Sequence, residues 1–379
     1  MPTAPEPAPL APVVPDFAGP CLANLVPALL ADDGDEPPAW LPNPATHARQ
    51  VVLLVLDGLG WEQLGTRAAL APALASGTGG PITSVAPSTT AAALTSLATG
   101  LPPAVHGMVG YRVRVRGEVL NVLRWQLAGA DARRSVPPST FQPHPAFPRR
   151  GGAPVPVVTR VDYGATGFTA AHLGDSTLRG WHTSAELVPE VRSLLAAGEP
   201  FVYAYYDGID RVAHARGLDG HYDAELRAAD RIVADLLGAL PPGAALVVTA
   251  DHGQVEVGPS VEVLGPDVMD GVELLTGEGR FRWLHARRGA ADDVAAAATA
   301  RFRDVAWVMT LAEVVDEGWL GGEPVPEVAD RLGDVALVPF TATSFLDPAD
   351  TGEQRLVGRH GSLTSAEMLV PLLSWPPGE

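Results

Sequence analysis

Three short apolar runs, each stopping at an acidic residue, constrain this chain most. They are QVVLLVLDGLG, where six apolar residues precede Asp57, then PFVYAYYDGIDRVAH, then AALVVTADHGQ. Runs of this length without polar alternation suit strands buried on both faces. Helical patterns lie between them, AELVPEVRSLLAAG before the second and AELRAADRIVADLLGAL before the third. Strands and helices in alternation predict an α/β sandwich with a largely parallel sheet. Ligands of such sheets bind beyond the carboxyl ends of the strands, which is where all three runs turn acidic.

At 379 residues, 46% hydrophobic and 18% charged, the chain has material for a large buried core. Its formal net charge of −18 repels nucleic acid and anionic membranes, so neither is an expected partner. A small anionic substrate stays compatible if bound cations supply local positive charge. The single cysteine, Cys21, excludes an internal disulfide framework and a cysteine-based zinc site. The opening MPTAPEPAPLAPVVPDFAGP lacks a signal-peptide pattern and reads as a proline-rich arm over 1–20. No apolar run approaches the roughly 20 residues of a bilayer span. The expected location is the cytoplasm. Nothing in the sequence sets the oligomeric state, and a homo-oligomer stays open.

Other segments break the rhythm. YRVRVRGEVLNVLRW (111–125) alternates around Arg116-Gly117-Glu118 and predicts a hairpin. Its alternation puts Arg112, Arg114 and Arg116 on one face, a solvated edge or a place for one phosphate contact. The proline-rich VPPSTFQPHPAFPRRGGAPVP that follows is expected to run over the surface. RFRWLHA, ADDVAAAATARF and VMTLAEVVDEGWLGG suggest a small α+β insertion over 256–335, leaving 21–255 and 336–379 as the core.

An aspartate after a strand is common turn chemistry, and each candidate taken singly is more often a solvated residue. The set carries more. Asp210 and His214 are four apart and share a helix face. Asp251 and His252 are adjacent at a strand end, and His360 sits between glycines in a loop. Three Asp and three His without Cys suit two divalent cations, Zn²⁺ first and Mn²⁺ also. Ser88, Thr89 and Thr90 begin the short helix TAAALTSLAT, stopped by Gly100, and a helix N-terminus favours a phosphate group. A cap accounts for one hydroxyl. Three leave room for a cap and a nucleophile that metal coordination would activate.

The stretches LLVLDGLG, PSTTAAALTSLATGLPPAVHG, DGIDRVAH, TADHG and RHG, in this order, resemble the alkaline phosphatase superfamily and, within it, the nucleotide pyrophosphatase/phosphodiesterase branch. The resemblance implies an alkaline phosphatase-like α/β/α sandwich. It also implies a two-metal hydrolase that cleaves small phosphodiesters or pyrophosphates through a covalent phospho-threonine. Aligning Pro87 and Thr99-Gly100-Leu101 with that branch selects Thr90 as nucleophile and leaves Thr89 in a variable place. Asp57, Thr90, Asp251 and His252 would then surround one metal, and Asp210, His214 and His360 the other. Asp207 would stand behind the second set, and Tyr111 near the place of a phosphate-binding Asn. Ala91-Ala92-Ala93 occupy the positions of a Phe-Pro-Asn in nucleotide-binding members, so base stacking by that Phe is lost. Phosphomonoesterase and phosphonate hydrolase are alternative readings within the superfamily. A non-catalytic binding protein on the same fold is a third, against which Thr90 and six candidate ligands argue.

Overall fold

The structure, a computed structural model, describes residues 10–31, 36–46, 48–148 and 153–375. A seven-stranded sheet forms its centre, in the order Thr78–Thr83, Leu369–Ser374, Ala244–Thr249, Gln50–Leu56, Phe201–Tyr206, Pro156–Arg160, Thr177–Trp181. Only Leu369–Ser374 runs against its neighbours; every other pairing is parallel. The three apolar runs are the three middle strands, buried almost throughout. Their register sets Val55 opposite both Thr249 and Tyr205. Asp57, Asp207 and Asp251, each two residues further on, therefore leave the sheet level with one another at its carboxyl edge.

Helices cover the faces. Gly220–Ala239 buries Tyr222, Leu226, Ala229, Val233 and Leu236, the stripe of an amphipathic helix. Among the described residues no helix is long and apolar enough to cross a membrane. A second sheet is antiparallel, in the order Val272–Glu278, Phe281–Ala286, Val335–Pro339, Ala306–Thr310. The helix Ala291–Phe302 packs on it through Val294, Ala298 and Phe302, in a separate small core with Leu337 and Phe345. The strand Val335–Pro339 lies inside this small sheet because Phe281–Ala286 and Ala306–Thr310 pair with its two edges. The expected boundary at 335 thus falls within the sheet.

The predicted hairpin is Arg112–Val115 against Glu118–Asn121, closed by Arg116 and Gly117 at φ +53° and +82°, as a tight two-residue turn requires. The shared arginine face does not form. Arg112 is buried in an ion pair with Asp347, and Arg116 is taken out of the alternation by its place in the turn. The proline-rich stretch is also less superficial than its composition suggests. Val136, Phe141 and Phe147 are buried, Phe141 edge-on to Trp125 and Phe147 against Tyr203 at 5.4 Å; positions 149–152 lie outside the described residues. Of the proline-rich arm, 1–9 likewise lie outside them. The remainder is tied down by Val13 N–H to the Leu363 carbonyl and Asp16 N–H to Thr83 Oγ1.

His106 locks the segment after the helix Thr90–Thr99. Its Nδ1 accepts from Met108 N–H at 3.0 Å, so the proton lies on Nε2 and is donated to Ser96 Oγ at 2.8 Å. Burial, then His144 and Arg331, push this imidazole down to about 3. The unfolded chain therefore takes up a proton near pH 6.5 that the folded chain refuses, and stability falls as pH drops from 6.5 toward 3. Urea unfolding at pH 7 and pH 4 should show wild type losing about 3 kcal/mol more than His106→Asn over that interval. Equal losses would show that His106 does not carry the slope.

Candidate active site

The three hydroxyls have three separate jobs. Ser88 Oγ donates to the Ser362 carbonyl at 2.7 Å and accepts from Gly361 N–H. Thr89 caps the helix Thr90–Thr99, its Oγ1 accepting from Ala92 N–H at 3.4 Å. Thr90 Oγ1 alone turns to the carboxyl edge of the sheet, 3.1 Å from His252 Nε2. Gly100 ends the helix at φ +72°.

Around Thr90 the structure brings together Asp57, Asp210, His214, Asp251, His252 and His360. His252 Nε2 lies 3.4 Å from both Asp57 Oδ1 and Asp251 Oδ2. Asp210 Oδ1 lies 3.2 Å from His214 Nε2 and 3.7 Å from His360 Nε2. The His252 and His360 rings stack at 3.4 Å, so His252 stands with both groups. Gly58, at φ +76°, lets the turn after Asp57 pass against Asp210, since a Cβ there would meet Asp210 Cα at 3.0 Å. Its N–H donates to Asp251 Oδ1.

The proton positions are informative. All three histidines direct Nδ1 at a backbone carbonyl: His214 at Gly358 (2.7 Å), His252 at Gly253 (3.0 Å) and His360 at Ser88 (2.9 Å). A carbonyl only accepts, so each ring proton sits on Nδ1 and each Nε2 presents a lone pair. Those lone pairs face carboxylates, and Asp57 Oδ1 and Asp251 Oδ2 are buried with no hydrogen-bond donor. Burial, then Asp251 and Asp210, push Asp57 well above the carboxylate range, and burial likewise raises Asp251. Burial, then His252 and His214, hold His360 well below the usual imidazole value. Acceptors converging on acceptors fit a divalent cation, whose charge reverses these tendencies.

Some contributors gave little signal in the sequence. Tyr205 Oη donates to Asp57 Oδ2 from inside a strand that reads as purely apolar. Gln254 Nε2 donates to Asp210 Oδ1 at 2.5 Å. Asp207 turns away from the cluster; Tyr163 Oη and Arg211 Nη1 donate to it. Tyr111 accepts from Asn121 Nδ2 at 2.8 Å. Two cavities meet at Thr90. One, of about 280 Å³, has Tyr111, Arg124, His214, Glu278, Arg359 and His360 in its wall. The other, of about 220 Å³, is lined by Asp57, Leu94, Phe168, His172, Tyr203 and Tyr205 among others.

Residues 51–363 match the family described as type I phosphodiesterase/nucleotide pyrophosphatase. The chain belongs to that family. It is a hydrolase of a metal-dependent group, and its Asp/His cluster could hold metal. The fold is that of murine ectonucleotide pyrophosphatase/phosphodiesterase 5, with 18% identity over 86% of this chain and 88% of that one and a TM-score of 0.64. The human counterpart gives 17% identity over 86% and 88%, with a TM-score of 0.65. Phosphonoacetate hydrolase from Sinorhizobium meliloti, solved with phosphonoformate, gives 22% over 86% and 90%, with a TM-score of 0.63. No curated protein matches the sequence significantly.

Tyr205→Phe tests the support given to Asp57. Chelator competition should show metal affinity lowered by about 10- to 100-fold, as loss of a ligand's hydrogen-bond partner commonly does. Unchanged affinity would reduce Tyr205 to a packing residue.

Proposed function

We propose that the chain is a two-metal phosphohydrolase cleaving phosphodiester or pyrophosphate bonds through a phosphate ester on Thr90. One observation supports this most: three imidazoles with protons fixed on Nδ1 turn lone pairs toward buried carboxylate oxygens that lack donors. Asp57, Thr90, Asp251 and His252 would hold one cation; Asp210, His214 and His360 would hold the other. Carboxylate and imidazole without sulfur suit Zn²⁺, and Mn²⁺ accepts the same set. Bound cations supply the charge that favours the Thr90 alkoxide and offsets charge on the phosphoryl oxygens.

The chain's own groups do the rest. Thr90 Oγ1 bonds to phosphorus while the bond to the leaving oxygen breaks, its electron pair departing with that oxygen. Water then displaces phosphorus from Oγ1 and restores the threonine. Thr90 Oγ1 lies 3.1 Å from His252 Nε2, and its hydroxyl proton would be lost to water with a cation held between the two. The first-turn amides of the ten-residue helix Thr90–Thr99 favour the phosphoryl anion.

The murine phosphodiesterase with this fold was solved with AMP as an inactive threonine-to-alanine variant. That is consistent with a threonine at the centre of the chemistry. The buried Ala91 gives a nucleobase no stacking surface, so dependence on the base should be weak. The phosphonate reading stands second. It is favoured by the likeness to a hydrolase solved with phosphonoacetate and by the same missing aromatic surface.

Thr90→Ala should lower turnover by at least about 10³-fold. Thr89→Ala should remove a cap, costing about 1 kcal/mol of stability while most turnover remains. The reverse pattern would move the nucleophile to Thr89. Comparing kcat/KM for bis-p-nitrophenyl phosphate, p-nitrophenyl phosphate, thymidine monophosphate p-nitrophenyl ester and phosphonoacetate should rank the diester first. Preference for phosphonoacetate would select the second reading, and preference for the nucleotide ester would overturn base independence.

A further inference from the structure

The two cavities that meet at Thr90 differ in charge. The smaller one has walls of Leu94, Phe168, Tyr203 and Tyr205, with Arg211 paired to Asp207 and with Asp57 and Asp210 at its Thr90 end. The larger one lies on the side of His214 and His360 and holds Arg124 and Arg359 beside Asp210 and Glu278. Arg359 is buried, with Nη1 donating to Ser344 Oγ and Nε to the Leu356 carbonyl. Arg124 is different. Its backbone N–H is fixed on Asn121 Oδ1 at 3.0 Å, and the next residue, Trp125, is buried and bonded to the Val136 carbonyl. Its guanidinium is exposed and, among the described residues, has no hydrogen bond or ion pair. It lies beside Gly352, whose Cβ position is 3.9 Å from Arg124 Nη2. A cation with an anchored backbone and no ion pair among the described residues, in the cavity of the reacting hydroxyl, is unusual on a chain of net charge −18.

Sidedness connects this cation to the reaction. Thr90 Oγ1 rests against His252, next to Asp57 and Asp251. In an in-line displacement the leaving oxygen departs opposite the nucleophile, here toward His214 and His360 and so into the larger cavity. We infer that Arg124 is a specificity-determining residue, selecting substrates whose leaving group carries a second anionic group, a carboxylate or a phosphate. This rests on the proposed phosphohydrolase reading. The retained substituent then lies in the smaller cavity, whose carboxylates do not favour a second anion.

A matched pair of esters tests it: ethyl 4-carboxyphenyl phosphate and ethyl 4-carbamoylphenyl phosphate, alike in shape and different in charge. Wild type should prefer the carboxylate in kcat/KM. Arg124→Gln should cut the carboxylate-to-amide ratio by about 10-fold or more, mainly through KM, as loss of a charge-assisted hydrogen bond does. Arg124→Lys should restore part of the ratio. A charge-blind wild type, or a ratio unmoved in Arg124→Gln, overturns the inference while the hydrolase reading stands. Failure of wild type to cleave either ester overturns both. Diethyl pyrophosphate and phosphonoacetate, run on the same proteins, separate the sources. The one cleaved faster by wild type and lost more strongly in Arg124→Gln names the natural anionic group, and insensitivity of both would sink the inference.

Discussion

Three carboxylates and three imidazoles converge at the carboxyl edge of the central sheet, and the chain supplies too few protons to reconcile them. Asp57, Asp251 and His252 are almost wholly buried. The ring proton of each histidine is committed to a peptide carbonyl on its far side. Lone pair therefore faces lone pair in a medium where an uncompensated charge costs several kcal/mol. Either carboxylates take up protons, as the raised Asp57 and Asp251 indicate, or cations settle among them. The fold holds this conflict in place, which gives metal binding a share in its stability.

What holds it is a set of backbone contacts between segments far apart in sequence. Ser88 links the loop before Thr90 to the last one: its N–H donates to the Gly361 carbonyl, its Oγ to the Ser362 carbonyl, and its own carbonyl receives His360 Nδ1–H. Behind that loop, fully buried Glu367 accepts from Ser362 N–H and Thr364 Oγ1, and from Arg280 at 3.1 and 2.6 Å. Arg280 itself reaches back into the small antiparallel sheet, where it follows the strand Val272–Glu278. A buried pair so fully hydrogen-bonded fixes geometry, and losing one partner would strand the other charge. The small sheet thus braces His360, and its neighbour Glu278 adds a wall to the larger cavity.

The middle strands and the acids beyond them were legible because burial on both faces leaves an uninterrupted apolar run, and an Asp at its end is conspicuous. Asp210 and His214 were legible from their spacing, which the helix Gly208–Arg216 realises. Tyr205 was not, since an aromatic residue inside a buried strand looks like packing; only the third dimension aims its hydroxyl at Asp57. Asp207 misled in the opposite direction. Its place beside the ligands in sequence suggested a partner for them, whereas the start of the helix rotates it toward Tyr163 and Arg211. The arginine hairpin failed in one detail: a tight turn takes Arg116 out of the alternation, and burial against Asp347 removes Arg112. Arg124, three residues beyond the paired strand, had no periodicity to mark it.

Net charge and local charge then act at different ranges. At −18 the surface disfavours every anion at long distance, though salt screens exposed charges beyond about 8 Å. Inside the larger cavity the balance is decided by few groups, Arg124 and Arg359 against Asp210 and Glu278, and bound cations would tip it toward positive. With cations bound as proposed, an anion that crosses the screened surface would meet attraction at Thr90. A net negative exterior repels an extended polyanion, whose charge spans many screening lengths, more strongly than a compact anion. On the proposed metal-bound state, discrimination by size and by charge would come from the same arrangement: a repulsive surface around a small pocket that cations and Arg124 make attractive to an anion.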